Sequence, residues 1–319
     1  MNRRIPYSGA GRILILLILA AACAAVPAAA ATGMNGSAGN QSSGPAIVYI
    51  GNYVVDFSKY NAEEGTFEAN FYVSLRSNSS VNLTDLEMIN GHATAIGTLI
   101  DTPEKKYYRV FATMSADPDF RRYPFDRHTL PIIVEPKTHS EREIVLVIDG
   151  NETGLDHDAA LPGWELGDIT AYTMSHSYGS DELPYSRAVF SYDVSRDSVS
   201  TFLKFFLPVM LIIIVSLSSL LMKVTSRLGL NASMFLAAVL IHWRVADAIP
   251  LVAYATFLDY FMILTYATLV MVLVSGILII FFSEAKDTKR VDLVNRWSIR
   301  IIPALSVSLY ALLFLTLVA

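Results

Sequence analysis

Two arrangements of apolar side chains divide the sequence. From Ile47 to about Asp197, short apolar runs are separated by turn residues, and in the run Phe67–Leu75 every second residue is apolar. Alternation with a period of two is typical of strands that are buried on one face. Many such strands, without a convincing helix over about 150 residues, predict a β-sandwich of the immunoglobulin-like class.

Four long apolar segments follow, and each is long enough to cross the hydrocarbon core of a membrane as a helix of roughly 20 residues. Basic side chains occur in the connections after the first and third segments, and the second connection has none. The positive-inside rule therefore places the first and third connections in the cytoplasm, and the β-sandwich and the C-terminus outside. The predicted transmembrane domain is 199–319, with helices at about 201–222, 227–249, 257–282 and 299–319.

The first 31 residues are predicted to be a secretory signal peptide, because basic residues are followed by a short apolar run and then by small residues. A fifth spanning helix is the alternative. The single cysteine, Cys23, falls in this segment, so the mature chain is expected to contain no disulfide. Residues 32–45 are rich in Gly, Ser and Asn and indicate a flexible leader. The sandwich is expected over 46–198.

Composition agrees with a membrane protein. Apolar residues make up 53% of the chain, charged residues 17%, and the mean hydropathy is +0.43, whereas about a quarter of the residues are charged in ordinary soluble proteins. Residues 32–200 hold 24 acidic and 12 basic side chains, and residues 201–319 hold 5 and 9. An acidic outer domain attracts cations and repels nucleic acid. No phosphate loop, nucleophile elbow or metal-ligand spacing is found, so we expect neither an enzyme nor a cofactor.

The second long segment is unusual because it carries polar and charged residues. One set recurs at steps of four, three, four, three and four residues, which places it on one stripe of a helix. A stripe that is polar at both ends and apolar in the middle suits a helix lining a water-filled pathway, which only an oligomer can close. The alternative is a plain bundle helix in which Arg244 pairs with Asp247. The stripe consists of Gly229, Ser233, Leu236, Leu240, Trp243 and Asp247.

A short motif precedes the spans. Asp119–Leu130 reads Asp-Phe-Arg-Arg-Tyr-Pro-Phe-Asp-Arg-His-Thr-Leu. Together with Leu161-Pro-Gly-Trp164, Pro208 and Pro250, it resembles the pentameric ligand-gated ion channels of the prokaryotic type, which lack the loop cysteines. The resemblance covers about residues 47–319. It implies a homopentamer in the plasma or inner membrane, surrounded by lipid, whose pore passes ions when a small ligand or protons act on the outer domain.

The resemblance also implies roles for single residues. Leu236 matches the central hydrophobic gate, and Ser233 matches the polar ring below it. Asp126 and Arg196 match the charge pair at the junction of the two domains; the alternative for Asp126 is a turn aspartate that caps its own backbone. The other coupling residues implied are Glu63, Glu64, Tyr123, Pro124, Phe125 and Pro250.

Three tyrosines, Tyr172, Tyr178 and Tyr185, lie where the resemblance implies ligand binding, and aromatic rings of this kind can hold an amine by cation–π attraction. The alternative is that they are ordinary strand residues. The neighbouring segment Glu135–Ser140 lacks the aromatic residue that many relatives have there. The chemical identity of the ligand therefore stays open.

Ion selectivity is expected at the two mouths of the pore. Ser226 and Arg227 lie at the inner mouth, and Asp247 lies at the outer mouth. Relatives that pass cations commonly have Glu where this chain has Ser226. Asp247, the acidic outer domain and the absence of a proline-containing insertion nevertheless favour cations. A different class of function also fits the sequence, namely an extracellular binding or adhesion module that the spans only tether.

Overall fold

The structure is a computed structural model, and it describes residues 44–77, 79–179, 183–247 and 249–318. The expected signal peptide and nearly all of the expected leader lie outside the described residues. Ten strands occupy the first half of this part of the chain, and four helical spans occupy the second half.

The strands form two sheets. One sheet has six strands in the order β4-β5-β2-β1-β7, with β8 also paired to β1, and the other has the order β3-β6-β10-β9. Strand β1 runs parallel to β7 and β8, and the other pairs are antiparallel. The strands are β1 (Ala46–Asn61), β2 (Thr66–Ser77), β3 (Leu86–Met88), β4 (Gly91–Asp101), β5 (Lys105–Ser115), β6 (Arg127–Pro136), β7 (Ile144–Ile148), β8 (Gly154–Leu155), β9 (Trp164–His176) and β10 (Tyr185–Arg196).

Side chains from both sheets meet in one apolar core. Val54, Phe71 and Val110 of the larger sheet and Ile132 and Phe190 of the smaller sheet have no exposed surface. Each lies on the inward face of a strand, as the period-two alternation requires. The predicted β-sandwich followed by four spans is therefore confirmed.

The first span, Val199–Leu221, is not a uniform helix. It consists of α1 (Ser198–Thr201), a π-helical turn at Phe202–Phe206, α2 (Leu207–Ser218) and a 3₁₀ turn at Ser219–Leu221. Proline lies in the first turn of α2, where the missing N–H would lack a partner within an isolated helix.

The remaining spans are α3 (Val224–Ala246), α4 (Phe257–Glu284) and α5 (Thr288–Val318). Helix α3 ends three residues before the expected position, and the proline at 250 disfavours helical backbone in the residue before it. Helix α5 begins eleven residues before the expected 299, because a polar, charged segment extends the helix beyond its apolar stretch. The four spans are present, and their ends lie up to eleven residues from the expected positions.

Candidate functional site

The Pro-Phe-Asp loop, residues 119–126, is hydrogen-bonded to the first turn of α4. The backbone carbonyls of Arg121 and Tyr123 accept hydrogen bonds from the amides of Phe257 (2.9 Å) and Leu258 (3.1 Å). The first amides of a helix have no partner within the helix. A loop of the sandwich therefore caps the third span.

The same loop contacts the last turn of α3. The Tyr123 hydroxyl donates to the Val245 carbonyl oxygen over 3.4 Å, and the Tyr254 hydroxyl accepts from the Phe120 amide over 3.0 Å. Tyr123 is fully buried. The loop thus contacts α3, α4 and the connection between them. A displacement of the loop would therefore alter its contacts with both helices.

Aromatic rings seal the contact with the first and third spans. Phe125 stacks on Phe206 with ring centroids 5.2 Å apart and an interplanar angle of 9°, and it meets Phe257 edge-on at 6.0 Å. Phe206 has no exposed surface and also contacts Phe314 of α5 at 5.8 Å. Rings from the loop and from three spans therefore form one packed group.

A buried carboxylate joins this loop to the start of the first span. Arg196 Nε donates to Asp126 Oδ1 over 2.8 Å, and His128 Nε2 lies 2.6 Å from Asp126 Oδ2. The side chains of Asp126 and His128 are 0% and 1% exposed, and that of Arg196 is 21% exposed. The guanidinium also lies over the rings of Trp164 (4.3 Å) and Tyr123 (5.4 Å).

Electrostatics keep this carboxylate ionised. Burial alone would raise the pKa of Asp126, but the hydrogen bond from His128 and the charge of Arg196 outweigh burial, so the pKa lies below its ordinary value. Burial raises the pKa of Tyr123 to about 12, although the charge of Arg196 opposes this. The junction therefore holds one buried anion between a guanidinium and an imidazole.

Three expected coupling residues lie apart from this pair. Glu63 and Glu64 are exposed, and their recorded hydrogen bonds stay within their own turn, to Asn61 and Thr66. Within the described residues neither glutamate forms an ion pair with Arg196. Their expected role as its partners is not supported by this geometry. Pro250 is half-buried beyond the end of α3, and the loop bonds to the residues that follow it.

The stripe lies on the exposed face of α3 in the part of the chain that the structure describes. Leu236, Leu240 and Trp243 are 61%, 55% and 71% exposed, and Gly229, Ser233 and Asp247 are exposed as well. The opposite face buries Arg227, Asn231, Ala238 and Val245. Arg244 and Asp247 form no ion pair in the described part of the chain. The alternative in which these two side chains satisfy one another is thus not what the structure shows.

Arg227 differs from its expected place at the inner mouth. It is 1% exposed, and it donates to the Leu220 carbonyl oxygen (2.9 Å), Ser275 Oγ (3.2 Å) and Asn295 Oδ1 (3.2 Å). Two residues correspond to roughly 200° around a helix. Arg227 therefore points away from the stripe residue Gly229, and it ties α3 to α4 and α5.

Of the three tyrosines, the structure brings two together. The rings of Tyr178 and Tyr185 are 5.9 Å apart, whereas Tyr172 has no ring contact among the described residues. Arg187 Nη2 donates to the Tyr178 hydroxyl over 3.3 Å, and Arg187 Nε donates to buried Glu135 over 2.7 Å. Burial, then Glu135, raises the pKa of Tyr178. A cation of the chain itself therefore already contacts one of these rings.

Two residues of these contacts, His128 and Glu135, were not among those expected from the sequence. His128 follows the Pro-Phe-Asp turn by two positions, and residues two apart on a strand share a face; its alignment with Asp126 was thus readable from spacing. Glu135 begins the segment that lacks the aromatic residue found in many relatives. Its pairing with Arg187 depends on the register of β6 and β10, in which Val134 faces Ala188. The sequence does not specify that register.

The β-sandwich, the four spans and the packed loop between them resemble the architecture of pentameric ligand-gated ion channels. No family model matches the chain. A curated protein from Gloeobacter violaceus (strain ATCC 29082 / PCC 7421), named proton-gated ion channel, is similar to it, with 27% identity over 150 residues. That match covers 47% of this chain and 40% of the relative. The chain resembles this class of ion channels and is a multi-pass membrane protein.

Proposed function

We propose that the chain is a subunit of a homopentameric ion channel gated by a small ligand or by protons acting on an extracellular or periplasmic β-sandwich. Helix α3 lines the pore, and the permeant ions are cations. The observation that carries this proposal is the stripe on α3, whose six residues are exposed while the opposite face of the helix is buried. The similarity to a proton-gated ion channel supports the same conclusion.

The chemistry of the stripe favours a water-facing surface over a lipid-facing one. A charged side chain costs about 2.5–3.5 kcal/mol to insert into lipid at the centre of a spanning helix, and Asp247 lies at the end of α3. Asp247 and Ser233 share the stripe with three large apolar residues, so a face turned to lipid would carry a carboxylate at its outer end. In a pentamer, rings of Leu236, Leu240 and Trp243 would form the constriction, with Asp247 at the outer mouth.

The junction offers a mechanical route from the sandwich to the pore. Asp126 holds Arg196 at the end of β10, which leads directly into the first span, while the backbone of the same loop caps α4. The loop also reaches the last turn of α3 through Tyr123. A twist of the sandwich would therefore move the outer end of the pore helix through contacts that are already formed.

The test is electrical recording of purified protein in a planar bilayer, across pH and in the presence of candidate ligands. We expect current, and we expect Leu236→Ser to open the channel at a lower agonist concentration, because the hydroxyl hydrates the constriction. Five leucines change together, so even about 0.3 kcal/mol per subunit gives a shift of roughly tenfold.

Leu312→Ser is the matched control, since Leu312 lies on α5 and is exposed to a similar extent, 62% against 61%. An equal shift in both variants would remove Leu236 from the gate. If the folded protein passes no current under any condition, the spans only tether the sandwich, and the chain is a membrane-anchored binding or adhesion module.

A further inference from the structure

His128 is a buried titratable group with a free ring nitrogen. Its side chain is 1% exposed, and the rings of Tyr60, Phe120 and Trp164 surround it at centroid distances of 5.8, 5.5 and 5.2 Å. Nδ1 has no hydrogen-bond partner among the described residues. A buried polar atom that lacks a partner is uncommon in folded proteins and requires an explanation.

The protonation state of the ring follows from its neighbour. The ionised Asp126 carboxylate only accepts hydrogen bonds, so the nitrogen 2.6 Å away, Nε2, carries a hydrogen. In a neutral imidazole the other nitrogen, Nδ1, then holds a lone pair. That lone pair is a vacant proton acceptor next to the coupling pair.

Charged and titratable groups face this ring from several elements. Asp126 and Arg127 belong to the loop and the start of β6, and Tyr60 comes from β1. Arg196 approaches from the end of β10, and Tyr123 lies in the same cluster. The hydroxyl oxygen of Tyr60 is another buried polar atom without a hydrogen-bond partner among the described residues. Burial, followed by the charge of Asp126, raises the pKa of Tyr60, so its hydroxyl stays neutral.

Two cavities border this part of the junction. His128 borders a cavity of about 300 Å³ that is lined by Asp168 of β9 and Asp193 of β10. A second cavity, of about 540 Å³, is bordered by Asp126, Arg196 and Glu165. These carboxylates favour an added positive charge on the ring, whereas Arg196 and Arg127 oppose it.

We propose that His128 is the proton-binding site of the junction, and that the proton bound there sets how firmly Asp126 holds Arg196. The inference rests on the proposed channel function, and it names the ligand as the proton. A proton from water binds the Nδ1 lone pair, and no other covalent bond changes. The imidazolium then competes with the guanidinium for one carboxylate. Arg196 loosens its contact with Asp126 and turns toward Glu165, which moves the start of the first span, and acid opens the pore.

Trp164 provides a reporter of this step that does not depend on conduction. Its ring contacts both His128 and Arg196, and an adjacent imidazolium changes indole emission. The chain has three tryptophans, so Trp243→Phe and Trp297→Phe together leave Trp164 as the single emitter. We expect its emission to change between about pH 8 and pH 5, where histidines titrate. The change is expected to vanish with His128→Gln and to persist with His92→Gln, in which an exposed histidine is replaced.

The second arm records currents in the otherwise native full-length chain. We expect His128→Gln to move the half-activating pH by at least about one unit, a tenfold change in proton concentration, and His92→Gln to leave it in place. Should the glutamine variant fail to fold, His128→Asn replaces it under the same criteria.

The two arms separate the inference from the proposed function. An emission change that survives His128→Gln, or that is absent from the parent, overturns the inference. Currents with an unaltered half-activating pH in His128→Gln also overturn it, and they leave the channel function standing. An emission change that depends on His128, in a folded protein that passes no current at any pH, supports the proton site and contradicts the channel.

Discussion

Removing Arg196 tests the energetics of the junction most directly. In Arg196→Ala, the fully buried Asp126 keeps only the hydrogen bond from His128. Breaking a buried ion pair by deleting one partner costs about 3–5 kcal/mol. Because Arg196 is 21% exposed and one hydrogen bond remains, we expect the low end, about 3 kcal/mol. A loss of this size lowers the Tm by roughly 6–12 °C in a domain of about 150–250 residues.

The pH dependence of this loss has a definite sign. The pKa of Asp126 lies below its ordinary value, so the pair stabilises the folded state above that ordinary value, near 3.9. The stabilisation is lost as the pH falls through the lower pKa of the folded state. In Arg196→Ala the carboxyl can take up a proton more readily. The difference in Tm between the two proteins should therefore be large at pH 7.5 and smaller at pH 4.

The assay is a thermal melt of detergent-solubilised protein followed by tryptophan fluorescence at both pH values. Arg290→Ala is the control, because Arg290 forms an exposed ion pair with Asp287 and such pairs contribute only about 0.2–1 kcal/mol. A Tm loss in Arg196→Ala that is no larger than in this control, or that is equal at pH 7.5 and pH 4, would refute the reasoning. In recordings, the same variant is expected to respond weakly to agonist, since the link between β10 and the loop is gone.

Three further substitutions test other parts of the structure. Gly65→Ala should destabilise the sandwich by about 1–3 kcal/mol, because Gly65 has φ +63° and an added Cβ would lie 2.5 Å from the Ala116 carbonyl oxygen; an unchanged melt would contradict this. Thr256→Ala removes the cap that accepts from the Asp259 amide and should cost about 1 kcal/mol, with Thr256→Ser as the conservative control. Ser226→Glu should move the reversal potential in a salt gradient toward the cation value, and no movement would place selectivity elsewhere.

The sequence predicted the architecture well because its signals are local. The alternation along Phe67–Leu75 and the four apolar stretches are each properties of a single segment. The first corresponds to strand β2, and the others correspond to the four spans. The bounds of the helices were less accurate. The polar first turns of α5 carry no hydropathy signal, and the end of α3 depends on a proline whose effect reaches back along the chain.

Residue roles at the junction were predictable only in part. The resemblance to pentameric ligand-gated ion channels implied that Asp126 pairs with Arg196, and these two side chains do pair. The other members of the group were not predicted, because Glu63 and Glu64 were the expected additional partners of Arg196, whereas His128 is the residue that contacts Asp126. Burial decides between them: the histidine lies under three aromatic rings, and the glutamates face solvent. The position of Arg227 was equally hard to predict. Ser226 is exposed and the next residue, Arg227, is buried, because successive residues of a helix point in directions about 100° apart.

The hydrogen bonds from the loop to the start of α4 bear on how this molecule can be recombined with others. If the β-sandwich were joined to the helices of another protein, the loop carbonyls would lose their hydrogen bonds from the amides of Phe257 and Leu258. Phe125 would also pack against different aromatic rings. Chimeras built from this chain should therefore exchange residues 119–126 and the turn beginning at Phe257 as a unit. The boundary between the exchanged parts then falls inside the helical bundle and not at the last strand.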